Sequence, residues 1–156
     1  MKLEFSDLYY IPNFKFPNGN TRNKYLLVLT NSDNAQKLLL TLPTKVGRVP
    51  PNLEKGQFGC INCDQSHFNC FRFLKNINVT SPPGFSFPLD TYVYGEWIQY
   101  WDTKSLKMDY SVEGIDYEYV GKIKADIIKD ILRCFVGSVK VKRKYKIMFQ
   151  EMLGNL

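Results

Sequence analysis

Residues Gly84–Tyr100 read GFSFPLDTYVYGEWIQY, and the fold turns on how this stretch is read. It opens behind a turn signal, Pro82-Pro83-Gly84, and then concentrates β-branched and aromatic residues. Thr91, Val93 and Ile98 stand among Tyr92, Tyr94, Trp97, Tyr100 and the following Trp101, a composition that suits a pleated, half-buried surface rather than a helix. Only Gly95 interrupts the run, and a glycine inside a strand marks a bulge or a close approach of backbone. Glu96 follows as a carboxylate in an otherwise apolar strand. Such a group is either a site or a paired structural charge.

Outward from this stretch, the 156 residues suit one domain with a core of its own. Hydrophobic residues at 44% and charged residues at 23% are ordinary for a globular protein, whereas 15% aromatics leans towards β structure or a stacking surface. No apolar run approaches the roughly 18 residues that span a bilayer. The start, MKLEFSDLYYIP, has acids among its apolar residues and reads as no signal peptide. The expected setting is therefore the cytoplasm, with the four cysteines as reduced thiols. A net charge of +6 is compatible with a polyanionic partner, nucleic acid or acidic protein. Much of it is local, since Lys140, Lys142, Arg143, Lys144 and Lys146 are separated only by Val141 and Tyr145.

In chain order, Asp7–Lys15 contains Pro12 and reads as an edge strand or extended arm, and Pro17-Asn18-Gly19-Asn20 as a turn. Lys24–Thr30 and Lys37–Thr44 are buried-strand runs around the polar Asn31-Ser32-Asp33-Asn34, which predicts an antiparallel hairpin. Lys45–Gly56, with its glycines and prolines, reads as a surface loop. Residues 58–63 and 68–74 read as strands around Asp64-Gln65-Ser66, and Tyr110–Gly121 as loop or edge strand. Past Lys122 the period changes. Ile128, Ile131, Leu132 and Phe135 fall at i, i+3, i+4 and i+7, predicting a helix over Ala125–Val136 with Gly137 at its end. A second helix is expected over Lys142–Leu153. The fold class is α+β, mainly β: a small SH3-like barrel or curled antiparallel sheet over 1–121, and C-terminal helices over 122–156.

Several chemistries lack their residues. Neither a GxxxxGK[ST] loop nor a GxGxxG turn is present, and His67 is the only histidine, so HExxH zinc chemistry is excluded. Cys60, Cys63, His67 and Cys70 spell C-x2-C-x3-H-x2-C, with ligand types zinc prefers. Two readings stand: a weak zinc site, or Cys60 and Cys70 as small core residues across a hairpin with His67 exposed in its turn. The basic run likewise reads either as a solvated helix start or as an anion-binding surface, its five like charges repelling one another without an acid between them.

Taken together, these segments resemble the MazF/PemK family of type II toxin–antitoxin ribonucleases. Arg22-Asn23-Lys24-Tyr25-Leu26-Leu27-Val28-Leu29-Thr30 resembles the family's R-P-A-L-V-I-S strand, and Leu40-Thr41-Leu42-Pro43-Thr44-Lys45 its PIT(S/T) ending. Thr91–Asp102, TYVYGEWIQYWD, is similar to its V-V-x-x-D-Q-x-R-T-V-D strand, and Val120-Gly121-Lys122-Ile123 precedes a C-terminal helix as in the family. The resemblance implies an SH3-like barrel that dimerises, a cytoplasmic toxin with an acidic antitoxin partner, and metal-independent cleavage of single-stranded RNA. It places Glu96 as general base, Arg22 or Lys24 as stabiliser of the phosphorane charge, and Thr44 and Tyr94 as supporting contacts. Lys24, Lys45, Lys142 and Arg143 would bind RNA, with Tyr92 and Trp97 stacking on its bases. Tyr94 and Gln99 stand where some members carry arginines, and a phenol does not replace a guanidinium's charge. The alternative is a non-catalytic SH3-like module that binds nucleic acid or a protein through its basic surface.

Overall fold

Leu26–Leu29 and Leu38–Leu40 show no polar alternation because the sheet they build is covered on both faces. The computed structural model describes residues 1–30, 36–42, 50 and 56–156. The expected turn at Asn31–Asn34, most of the Lys45–Gly56 loop, and both Thr44 and Lys45 lie outside the described residues. A five-stranded antiparallel sheet is formed by β1 (Asp7–Lys15), β2 (Thr21–Val28), β3 (Gln36–Leu42), β7 (Gln99–Asp102) and β8 (Glu118–Lys122) in the order β7-β3-β2-β1-β8. A second sheet of β4 (Gly59–Cys63), β5 (Phe68–Phe73) and β6 (Thr91–Tyr94) runs β4-β5-β6. The α-helices are α1 (Thr103–Asp109), α2 (Ala125–Val136) and α3 (Arg143–Gly154). This is the expected mainly-β α+β class with C-terminal helices, as open antiparallel sheets rather than a closed barrel.

Leucines on one face of the large sheet (Leu8, Leu27, Leu38, Leu40 and Leu42) pack with Phe71, Phe73 and Val93 of the small sheet and with Ile131, Leu132, Phe135 and Phe149 of α2 and α3. On the other face Tyr9, Ile11, Phe14, Leu26, Val28 and Leu39 meet Leu106 of α1, Tyr110 and Tyr117. α2 keeps the predicted limits, its buried residues following the predicted spacing, while α3 begins one residue late and buries Tyr145 and Phe149.

Two strand readings change. β1 is internal, between β2 and β8, and tolerates Pro12 because the register shifts between Ile11 and Phe14 and the pairing with β8 ends at Tyr10. The stretch Thr91–Tyr100 is two strands in different sheets, joined by a single 3-10 turn at Gly95–Trp97. At Gly95 a Cβ would sit 2.5 Å from Asn69 Oδ1 and 2.6 Å from Val141 Cγ2. The sequence expectation of a close backbone approach is met there. Helix α1 has no counterpart in the sequence reading; Asp102 caps it, its carboxylate accepting from the Lys104 and Ser105 N–H groups.

Asp7 ties the N-terminal segment to β8. Its carboxylate is 3% exposed and accepts from Glu4 N–H, the hydroxyls of Tyr9 and Tyr119, and Lys122 Nζ at 2.9 Å. Burial, then the Asp7 charge against an opposing Leu3 N–H bond, pushes the Tyr9 phenol up; burial and Asp7 do the same to Tyr119. For Lys122 burial works downward, but Asp7 and Glu4 outweigh it and the ammonium is raised.

Two outcomes follow. Gly95→Ala should destabilise the fold by about 1–3 kcal/mol, read from denaturant midpoints, because a methyl group there overpacks the junction; an unchanged midpoint would contradict the close approach. All three raised groups hold protons more tightly when folded, so their contribution is whole below about pH 10 and is lost as the pH rises through the raised values. The melting temperature should therefore fall above about pH 10, less steeply in Tyr9→Phe. An alkaline limb identical in the two proteins would refute this origin.

Candidate functional site

A groove of about 320 Å³ opens where the β1–β2 turn faces the C-terminal half of β3 and β7. It is lined by Phe14, Lys15, Phe16, Pro17, Thr41, Gln99 and Trp101. The turn is built by Gly19 at φ +85°, with Gly19 N–H donating to Phe16 O and Phe16 N–H to Asn20 O. It is held down by Lys15 N–H donating to Tyr110 Oη at 2.9 Å. Phe14 forms the floor, its ring centroid 5.3 Å from Phe16, 5.5 Å from Trp101 and 5.9 Å, stacked, from Tyr110. The Trp101 Nε1–H group is buried with no hydrogen-bond partner among the described residues, a donor left over in the wall of the groove.

The cations come from β1 and β2. Arg22 stands opposite Phe14 and Lys24 opposite Ile11 in the β1–β2 ladder, and cross-strand partners project to the same face. Both therefore lie on the groove's face of the sheet. Arg22 is exposed, and Lys24 Nζ sits 5.8 Å from the centroid of the Phe16 ring. Phe14 is buried beneath the groove, and the half-buried Phe16 and Trp101 are the rings that could stack a base, with the cations beside them to hold a phosphate.

Glu96 is exposed in the 3-10 turn and does not line this groove. Register still brings it to the same end of the sheet. β7 pairs Gln99 with Leu39 and runs to Asp102 opposite Gln36, so the residues before Gln99 lie towards Leu42. β2 pairs Tyr25 with Leu42, which places Arg22 and Lys24 beyond that end as well. No hydrogen bond or ion pair joins Glu96 to either cation among the described residues. Its backbone neighbour Gly95 instead abuts Val141, inside the basic run.

The aromatic assignments need correction. Tyr92 and Tyr94 are 1% and 2% exposed, packed with Cys70, so neither offers a face to RNA and the Tyr94 hydroxyl is closed off from substrate. The composition suits a half-buried strand, but both faces of β6 are buried. Trp97 is half-buried against Tyr94, with ring centroids 4.9 Å apart. Lys142 and Arg143 are exposed at the start of α3. The aromatic surfaces that line the groove are Phe14, Phe16 and Trp101; Lys15 and Thr41 belong to it too. Thr41, the lone hydroxyl inside a leucine run, was the readable signal.

The Cys/His segment is also taken apart. Cys60 forms a disulfide with Cys134 of α2, so the expectation of four reduced thiols fails for these two and Cys60 is not a zinc ligand. A C-x2-C knuckle needs a turn between its cysteines, whereas Cys60–Cys63 is strand, which sends the two side chains to opposite faces. Cys70 is buried, and His67 is exposed in the β4–β5 turn, as the core-cysteine alternative expects of His67. Among the described residues no three His, Cys, Asp or Glu side chains converge on a metal position. No helix among them is long and apolar enough to cross a membrane.

Compared with known proteins, the chain matches no family model and no curated sequence. The likeness to MazF/PemK rests on the sequence motifs alone.

The bond from Cys60 to Cys134 closes a sequence separation of 74 residues. Cys60→Ser with Cys134→Ser should lower stability by about 2–4 kcal/mol in oxidising buffer, and dithiothreitol should lower the wild type to the same level. Equal stability of the oxidised wild type and the double variant would contradict the linkage.

Proposed function

We propose that this chain is a ribonuclease toxin of MazF/PemK type that takes single-stranded RNA into the groove beside the β1–β2 turn. One observation carries the reading: the half-buried rings of Phe16 and Trp101, backed by the buried Phe14, line a groove on the sheet face that also presents Arg22 and Lys24. Stacking platforms beside phosphate-binding cations are what unpaired RNA requires, because its bases are free to splay and each phosphate carries a charge.

Cleavage would proceed by attack of the ribose 2′-oxygen on the adjacent phosphorus. Glu96 takes the 2′-hydroxyl proton, Arg22 or Lys24 stabilises the charge that builds on the phosphorane oxygens, and the bond from phosphorus to the 5′-oxygen breaks. The products are a 2′,3′-cyclic phosphate and a 5′-hydroxyl, the leaving oxygen taking its proton from water because the Tyr94 hydroxyl is buried. The protein partners in this reading are a second copy of the chain and an acidic antitoxin segment competing for the same cations. In a cytoplasmic setting the Cys60–Cys134 bond would open to thiols.

A second reading has its own support. No carboxylate lines the groove among the described residues, which favours a module that binds RNA without cleaving it. Inducible expression separates the two. Wild type should arrest growth and generate new 5′-hydroxyl ends in total RNA; Glu96→Gln and Arg22→Ala should each cut cleavage by about a hundredfold or more. Harmless expression with intact RNA would overturn the nuclease reading and leave the binding module.

A further inference from the structure

β7 is an edge strand, and its residues serve two surfaces at once. Gln99 and Trp101 line the groove, while Tyr100 between them projects to the opposite face of the strand. There its ring, 41% exposed, lies 5.7 Å from the Tyr145 ring of α3. Lys144 Nζ sits 5.8 Å from the Tyr100 centroid and 5.1 Å from that of Tyr145, and Lys142 Nζ 6.0 Å from the latter.

The start of α3 is built against its own electrostatics. Its N-terminus carries the positive end of the helix dipole, yet Lys142, Arg143 and Lys144 stand there with no acid in the first turn and no side-chain cap. None of the five cations from Lys140 to Lys146 takes part in an ion pair among the described residues. Among the described residues, Glu96 lies on the turn whose Gly95 abuts Val141, and Glu151 lies two turns along α3. Neither forms an ion pair with the cluster among the described residues, so its exposed cations are open to an anionic partner.

We propose that the β7 edge and the first turn of α3 form a second RNA-contacting surface, reached from the groove around β7, in which Tyr100 stacks on a base and Lys142, Arg143 and Lys144 hold phosphates. This deepens the single-stranded RNA reading and rests on it. An exposed ring held among cations favours a nucleic acid over an acidic peptide. The peptide would use the charges and leave the ring without a partner, whereas each nucleotide brings both a π-face and a phosphate.

The test is binding of a fluorescein-labelled 2′-O-methyl RNA oligonucleotide, which lacks the attacking hydroxyl and separates binding from cleavage. Three phosphate contacts contribute about 2 to the slope of log affinity against log salt, so Lys142→Gln/Arg143→Gln/Lys144→Gln should lose that much slope and about tenfold or more in affinity at 0.1 M salt. Tyr100→Ser should lose about tenfold with its salt slope unchanged. All four side chains are exposed, so the variants keep the fold, and Lys144→Arg should retain binding. If the triple variant and Tyr100→Ser bind like wild type while Arg22→Ala/Lys24→Ala binds more weakly, this inference falls and the groove reading stands. If wild type binds no RNA, the functional reading falls and takes this inference with it. If the triple variant loses only the ability to bind polyglutamate, the surface serves an acidic protein and the inference is overturned.

Discussion

At Gly95 the backbone passes between Asn69 of β5 and Val141 ahead of α3 so closely that no side chain fits, and the rest of the molecule is arranged around that junction. The chain leaves the small sheet at Tyr94 and enters the large one at Gln99 within a single turn. Because the two strands belong to different sheets, the two sheets and α2 are held to one apolar interior, where Phe71, Val93, Leu40 and Phe135 meet. The same turn decides which side chains reach solvent. Tyr94 is left inside, Glu96 is thrown outward, and Gln99 and Trp101 arrive in the groove.

Charge is distributed by the same economy of burial. Asp7, the carboxylate taken out of water, is met by four donors, and its partner Lys122 keeps 42% of its side chain in solvent. The Coulomb attraction of so exposed a lysine is screened, so the pair matters less for its attraction than for the cost of leaving Asp7 buried without donors. At the other extreme, the cations of Lys140–Lys146 stay outside all described ion pairs. Among the described residues the buried carboxylate Asp7 is paired, while exposed positive charge gathers at Arg22 and at the start of α3. Such segregation suits a polyanion that must follow a path across the surface.

Most of the elements were legible from the sequence where local periodicity and burial agree. Ile128, Ile131, Leu132 and Phe135 define α2 because one face of that helix is buried and the other wet. The strand runs at Leu26 and Leu38 were readable from length and composition, although burial on both faces erased their alternation. α1 escaped notice because seven residues with one buried side chain, Leu106, leave too little periodicity. The Cys60–Cys134 bond was invisible for another reason: ligand-like spacing drew attention to cysteines close in sequence, while the true partner lies on a helix 74 residues away.

What the sequence determined by itself is the inventory: strand-forming and helix-forming segments, a glycine that marks a close approach, and an uncompensated basic run. These are local properties, set by propensity, spacing and charge along the chain. Only the tertiary structure decided which of these residues meet. It separated Tyr92 and Tyr94 from solvent, joined Cys60 to Cys134, and put Arg22 and Lys24 on the face of the Phe14–Trp101 groove. Pairing partners and register are chosen by the global burial of apolar surface, and one residue of shift along a strand exchanges its inner and outer faces. No reading of neighbours in the chain contains that choice.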